Sequence, residues 1–509
     1  MQQKAINTLI PFHLKPLFKP LILLLVPVLL FLIFRFVPFG INGLSVLLLI
    51  GTLFLFIVSQ SPTAIIKTIF WLTFINLFIS HAFFRLYVFD FYNAGLSTRI
   101  NWFADALLLV MVLRLISTKK YGKYFLNFNL FSLGFLIIIL SSLFNFQSVA
   151  FSLLSLRVMY IPLLLAYVVY IYRMDLKTYE WFFKLFLVLA VINSVLSIVQ
   201  FLFMEQLGFT AQMTGGIFGY HGTGTGALFS VVQSALCLQI FMKSKKKVYL
   251  LLAFFIAIPI MTGFAYAGFA FLTIAIVVVV FNTFRRLNVL RITAVALTGF
   301  LIMYSLVTIT IKFQTGSSSQ SYFNFLGNPE LIVSAITIPD AAYSLSSLNR
   351  IYNVYFAIDE VTQDFVSFWF GHGPGSISYN ALTLEFKNPL AQIYKGSSHP
   401  LMTYIYELGI WGPFLLITAF YFLHRKLKRT KRPLGGLAQY YYDNINVLLI
   451  IYLLGTLYTS VLNNQVLVMF FAVQISYLNH LYISQRMIHT ARLKSPANIE
   501  ISKEVLFTR

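Results

Sequence analysis

The sequence predicts an all-α, polytopic integral membrane protein with about 12–14 transmembrane helices and one large extracytoplasmic, helical loop near its C-terminus. Three observations predict it. The 509 residues are 59% hydrophobic and only 10% charged, with a mean hydropathy of +0.82, more apolar surface than a soluble domain of that length can hide. Apolar stretches of roughly bilayer-crossing length recur from end to end. The Lys and Arg residues crowd into alternate loops, the pattern of a chain with its basic loops on the cytoplasmic side.

In chain order the apolar segments run 21–38, 44–60, 63–80, 102–117, 127–144, 149–172, 181–204, 224–242, 248–262, 264–282, 291–311, 401–423, 445–461 and 465–483. Lys4, Lys15 and Lys19 precede the first, and no small-residue cleavage site follows it, so it reads as a signal-anchor helix with the N-terminus inside. The alternate loops then hold Lys67; Lys119, Lys120 and Lys123; Arg173 and Lys177; "KSKKK" (243–247); "FRRLNVLR" (284–291); and "HRKLKRTKRP" (424–433). The net charge of +22 therefore orients the chain and meets anionic lipid; it is not a nucleic-acid footprint. The single cysteine, Cys237, lies in an apolar stretch and reads as an inert core residue, which excludes a disulfide framework or a thiolate metal site. "MTGFAYAG" (261–268) reads as a tight outer hairpin, with a re-entrant break or a kink as alternatives; the basic clusters at 285–291 and 424–432 favour the hairpin.

The domain plan follows: an N-terminal membrane bundle (1–311), a large outer loop (312–400), C-terminal membrane helices (401–485) and a cytoplasmic tail (486–509). Two other outer loops are long, 81–101 and 205–223. The third mixes polar turns with a helical pattern at 345–365, and its aromatic, Gly and Pro content suits a small folded cap.

Ionisable groups in or beside membrane segments are costly, so each is a candidate for function. Arg157 lies inside an apolar helix; its guanidinium either snorkels, pairs with a carboxylate, or grips a lipid diphosphate through its planar fork. Arg350 opens the patterned helix of the large loop and is a candidate anion ligand. "GGIFGYHGTGTGA" (215–227), with His221, Gly222 and Gly224, leads glycines directly into a helix, either as a flexible turn or as an anion cradle of backbone N–H groups. In "FWFGHGPGSISYN" (368–380), Gly371 and Gly373 shape a compact turn, with His372 in a structural role. In "SSHP", Ser398 and Pro400 are ordinary helix-start residues. His399 beside them faces the outer aqueous boundary, where a neutral imidazole can take a proton from a sugar hydroxyl. Glu407 lies about 12 Å deeper, too far to orient that imidazole, and reads as a buried partner of an arginine or a backbone N–H.

At these residues the chain resembles the O-antigen ligase and polysaccharide polymerase family of bacterial multi-span glycosyltransferases. "FGHGPG" (370–375) is similar to the family's Gly-x-Gly turn, and "SHP…YELGIWGPF" (398–414) to its His-Asn start and Glu-x-Gly-x-x-Gly helix, with Glu407, Gly409 and Gly412 in support. Arg350 occupies the place of a family arginine. "GGIFGYHGTGTGALF" resembles the glycine-rich lead-in to the helix that follows it. Pro400 stands where the family has Asn, and the arginine expected before "GGIF" is replaced by Gln212 and Met213.

The resemblance implies a GT-C-like membrane enzyme of the bacterial inner membrane, with both termini cytoplasmic. Its donor is an oligosaccharide on undecaprenyl diphosphate. The acceptor is a second lipid-linked glycan for a polymerase, the favoured reading, or lipid A–core or a protein for a ligase. It implies His399 as the base, Arg157, Arg350, His221, Gly222 and Gly224 around the diphosphate, and neither metal nor nucleotide, since the leaving group is already activated. A chain-length regulator and a flippase are implied partners. A lipid-linked oligosaccharide flippase is the alternative of another class; such a protein needs charge along a central cavity and has little use for a folded outer cap.

Overall fold

The computed structural model of the chain describes residues 51, 57–58, 60–77, 94–145, 149–202, 215–218, 223–262, 266–283, 349–376, 400–433, 436–456 and 465–494. These are helical, with no strand among the described residues. The helices are α1 (Pro62–Leu77), α2 (Ala94–Ser117), α3 (Lys119–Leu126), α4 (Leu130–Phe144), α5 (Val149–Ile171), α6 (Leu176–Leu202), α7 (Thr223–Ser244), α8 (Lys247–Thr262), α9 (Tyr266–Thr283), α10 (Asn349–Thr362), α11 (Phe365–Phe370), α12 (Pro400–Leu408), α13 (Trp411–Arg429), α14 (Gly436–Gly455) and α15 (Gln465–Lys494). A short 3-10 turn, Gly216–Phe218, stands between α6 and α7.

Local chemistry explains the ends of several elements. The side chain of Asn129 caps α4 by accepting from the N–H groups of Phe131 (2.9 Å) and Ser132 (3.2 Å). Asp364 caps α11 by accepting from the N–H of Ser367 (2.8 Å). Pro162 and Pro259 lie inside α5 and α8, where neighbouring helices can re-satisfy the freed backbone groups.

Three described helices are long and apolar enough to cross a membrane: Leu176–Leu202, Gly224–Ser244 and Val466–Met487. The bent pair Lys119–Phe125 and Leu130–Phe144 makes a fourth if it is one broken span, and Pro62–Leu77, Tyr160–Ile171, Lys247–Thr262 and Gly268–Thr283 are apolar but shorter. This is consistent with a multi-pass membrane protein. The expected segments 21–38 and 291–311 lie outside the described residues. Two expected boundaries are corrected. The segment drawn at 401–423 is two helices, because Gly409 at φ +62° ends α12 and the chain restarts as α13. Helix α2 begins at Ala94, within the stretch read as the loop 81–101.

A phenylalanine ladder binds the bundle. Phe70 of α1 meets Phe182 (5.6 Å) and Phe186 (5.6 Å) of α6; Phe186 meets Phe470 of α15 (4.7 Å); Phe470 meets Phe229 of α7 (5.4 Å); and Phe229 meets Phe218 of the 3-10 turn (5.6 Å). One end of the bundle is basic. There the buried carboxylate of Asp443 on α14 accepts from Lys243 of α7 at 2.6 Å and from Arg432. Lys426 donates to Asn479 Oδ1 at 2.6 Å and to the Tyr170 hydroxyl, joining α13 to α15 and α5. Arg114 at the end of α2 donates to the carbonyls of Val58 and Gln60. Helix α8 starts beside this end and α9 finishes there, with Asn282 Nδ2 donating to the Asp443 carbonyl (3.4 Å). The helices flanking 261–268 therefore run in opposite directions.

Candidate functional site

Two glycine-containing turns lie at the end opposite the basic one, and each is held by polar groups that apolar helices would otherwise leave stranded. The first follows α11. Gly371, Gly373 and Gly375 have φ of +65°, +92° and +83°, a backbone path that side chains disfavour. That path turns the N–H groups of His372 and Gly373 onto the carbonyls of Tyr406 (2.8 Å) and Glu407 (3.2 Å), in the last turn of α12. In return, the N–H of Ile410 just past α12 donates to Phe368 O of α11 (3.0 Å). The last carbonyls of a helix have no partner within it. Here two helix C-termini supply the missing donors to each other.

Helix α4 seals the junction. The Ser141 hydroxyl, fully buried, is shared between Glu407 O (3.0 Å) and Phe370 O, and Asn145 Nδ2 donates to Gly371 O (3.0 Å). Space is as tight as the bonding. A Cβ on Gly371 would lie 2.4 Å from the Glu407 carbonyl carbon, one on Gly409 would lie 2.5 Å from Phe368 O, and one on Gly412 would lie 2.2 Å from Tyr404 O. Glu407 is itself fully buried. The His372 ring packs on Tyr406 with 4.5 Å between centroids, and its Nδ1 is 3.5 Å from Ser367 Oγ. Burial holds this imidazole below its ordinary value, against the opposing pull of Glu360 and Asp364.

The second turn is Gly215–Phe218. Gln200 of α6 pairs with Gly216 as one amide with another: its Oε1 accepts from the Gly216 N–H (2.8 Å) and its Nε2 donates to the Gly216 carbonyl (3.0 Å). Asn193, two turns along α6, accepts from the Ile217 N–H (2.9 Å) and reaches Ser230 of α7 (3.4 Å). The turn is buried between α6 and α7, with Gly216 and Ile217 held by side chains two turns apart on α6. Gly216 at φ +64° has no room for a Cβ, which would meet Asn193 Oδ1 at 2.3 Å. The N–H groups of Gly216, Ile217 and Phe218 are all engaged inside the protein, the last with Gly215 O (3.2 Å). This part of the glycine-rich stretch, Gly215–Phe218, is therefore a buried plug whose N–H groups are spent inside the protein.

The candidate residues fall into three groups. Gly371, Gly373, Glu407, Gly409 and Gly412 come together at the junction of α11 with α12. Gly224 is buried in the first turn of α7, in the region of the plug. His399, His221 and Gly222 lie outside the described residues. Arg157 and Arg350 lie on described helix backbone, and their side chains are outside what is described. Arg157 sits one turn before Tyr160, which packs with Tyr404 and Leu408 of α12. Arg350 opens α10, about 18 Å along the axis from Thr362, and α10 packs on α12 through Ala357, Val361, Met402, Ile405 and Tyr406. Helix α10 thus packs directly on the helix that His399 precedes, and Tyr160 of α5 shares a buried cluster with it and with Ile138 of α4.

Sequence reasoning missed Ser141, Asn145, Asn193 and Gln200. The available signal was a small polar or amide residue isolated on an apolar helix, in a chain whose glycine turns need partners. The sequence matches no protein-family model and no curated protein.

Proposed function

We propose that the chain is a multi-pass glycosyltransferase of the bacterial inner membrane, with about 12–14 crossings, acting on undecaprenyl-diphosphate-linked glycan at the outer face. Polymerisation is the favoured reaction. The observation that carries this reading is the mutual capping of α11 and α12. It unites "FGHGPG" and "YELGIWG", two of the pieces that carry the family resemblance, into one unit whose second helix follows His399 in sequence.

In this reading a hydroxyl of the acceptor glycan attacks the anomeric carbon of the donor. The new glycosidic C–O bond forms as the bond to the diphosphate oxygen breaks, and the diphosphate leaves with that electron pair. His399, in its neutral form, takes the hydroxyl proton. Arg157 and Arg350 hold the departing charge through charge-assisted hydrogen bonds.

The test is glycan analysis in a deletion strain complemented with wild type or His399→Ala. Single-repeat glycan at the surface in the deletion strain marks a polymerase, and long chains stranded on the lipid carrier mark a ligase acting on lipid A–core or protein. Lipid-linked repeats held on the cytoplasmic side would make the protein a flippase. Unchanged chain length and attachment with properly expressed His399→Ala would remove the base assignment.

A further inference from the structure

Helix α11 has the wrong surface for a loop in water. Phe365 is 78% exposed and Val366 is 41% exposed, directly after the exposed polar run Thr362, Gln363 and Asp364. Its aromatic side chains lead in two directions. Phe365 meets Trp369 (6.4 Å), Trp369 meets Trp411 (6.0 Å), and Trp411 meets Phe414 (5.5 Å) at the top of α13. Phe370 stacks on Phe144 (4.6 Å) at the end of α4.

From these two points exposed apolar stripes descend at helical spacing. Phe414, Ile417 and Tyr421 line α13, and Leu136, Ile139 and Leu143 line α4. Neither α4 nor residues 411–423 carry a charge. A cluster of Trp and Phe that crowns two uncharged stripes, with an aspartate just beyond it, has the chemistry of a membrane–water boundary.

The geometry points to α11 as a lipid-inserted helix: Phe365, Val366 and Trp369 sit in the outer leaflet at the headgroup–acyl boundary, and Asp364 remains in water. The inference rests on the proposed membrane reading. Its consequence is positional, since the turn that caps α12 is suspended from this anchor, at the depth where a lipid-borne head group arrives.

The chain has five tryptophans. Full-length protein with Trp71, Trp102, Trp181 and Trp411 changed to Phe, in phosphatidylethanolamine–phosphatidylglycerol vesicles, leaves Trp369 as the sole emitter. Lipid brominated near the glycerol should roughly halve its emission, well beyond the effect of tail-end bromines or aqueous iodide. A parallel chain whose sole tryptophan is Ile417→Trp tests the membrane reading itself, and tail-end bromines should quench it. Quenching of Ile417→Trp without lipid quenching of Trp369 overturns the insertion and leaves the membrane reading standing. Failure of both overturns both. Shielding of Trp369 only at high protein-to-lipid ratio assigns the patch to a second copy and overturns the lipid assignment. Should the tryptophan replacements unfold the chain, a nitroxide on Phe365→Cys in a Cys237→Ser background probes the same insertion. Greater collision with oxygen than with a water-soluble nickel chelate is the supporting result, and the reverse overturns the proposal.

Discussion

Gly371 lies so close to Glu407 that a Cβ on it would stand 2.4 Å from the Glu407 carbonyl carbon. A side chain at 371 therefore meets two obstacles, a positive φ and a backbone wall that cannot rotate away. Gly371→Ala should lower stability by about 1–3 kcal/mol. Gly134→Ala serves as the control, because its Cβ would find Leu415 Cδ1 at an ordinary 3.7 Å. Cys237, buried and the only cysteine, makes thiol labelling during heating a direct read-out of unfolding. Equal midpoints for the two variants would refute the tight junction.

The plug depends on one amide pair. Gln200→Leu strips the Gly216 N–H and carbonyl of the side-chain amide that satisfies both, and should cost about 1–3 kcal/mol. The loss should be local: hydrogen exchange in 215–218 accelerates while α14 keeps its protection. Unchanged exchange in the plug would show that Gln200 does not hold it.

Asp443 is a buried anion serving two cations, Lys243 and Arg432. Asp443→Asn leaves both charges in a poorly hydrated place, and removing one side of such a pair typically costs about 3–5 kcal/mol. Adding Lys243→Met to Asp443→Asn should recover part of the loss, measured as a coupling energy in a double-mutant cycle. Strict additivity would mean that Lys243 and Asp443 do not interact.

His372 gives the junction a pH dependence of predictable sign. Its folded pKa lies below the ordinary value, with burial as the main cause, so the unfolded chain takes up the proton first as pH falls. The stabilisation is complete above about pH 6.5 and is lost as pH drops through the folded value. Asp364, held below the ordinary carboxylate range by its hydrogen bonds to Ser367, acts in a separate, more acidic window. His372→Asn should flatten the dependence of the unfolding midpoint between about pH 7 and pH 5; an unchanged slope would assign the dependence to other groups.

Much of the fold was legible because helices in an apolar chain are written in composition and charge placement. The uncharged run 130–144 is a helix in the structure, the patterned stretch 345–365 contains α10, and the chain reverses across 261–268. The break at Gly409 was less legible. Apolar residues continue on both sides of it, and a glycine alone does not announce a positive φ.

The sequence by itself determined the class of structure, an all-helical chain that is apolar along most of its length. It also supplied the glycines without stating what they were for. Tertiary structure decided that Gly371 exists to let Glu407 approach, that Gly216 exists to let Asn193 approach, and that Ser141, Asn145 and Gln200 complete those approaches. The reason is physical. Helix formation depends on neighbours within a few residues, whereas a buried carbonyl or N–H can be satisfied by any element that folding brings within about 3 Å.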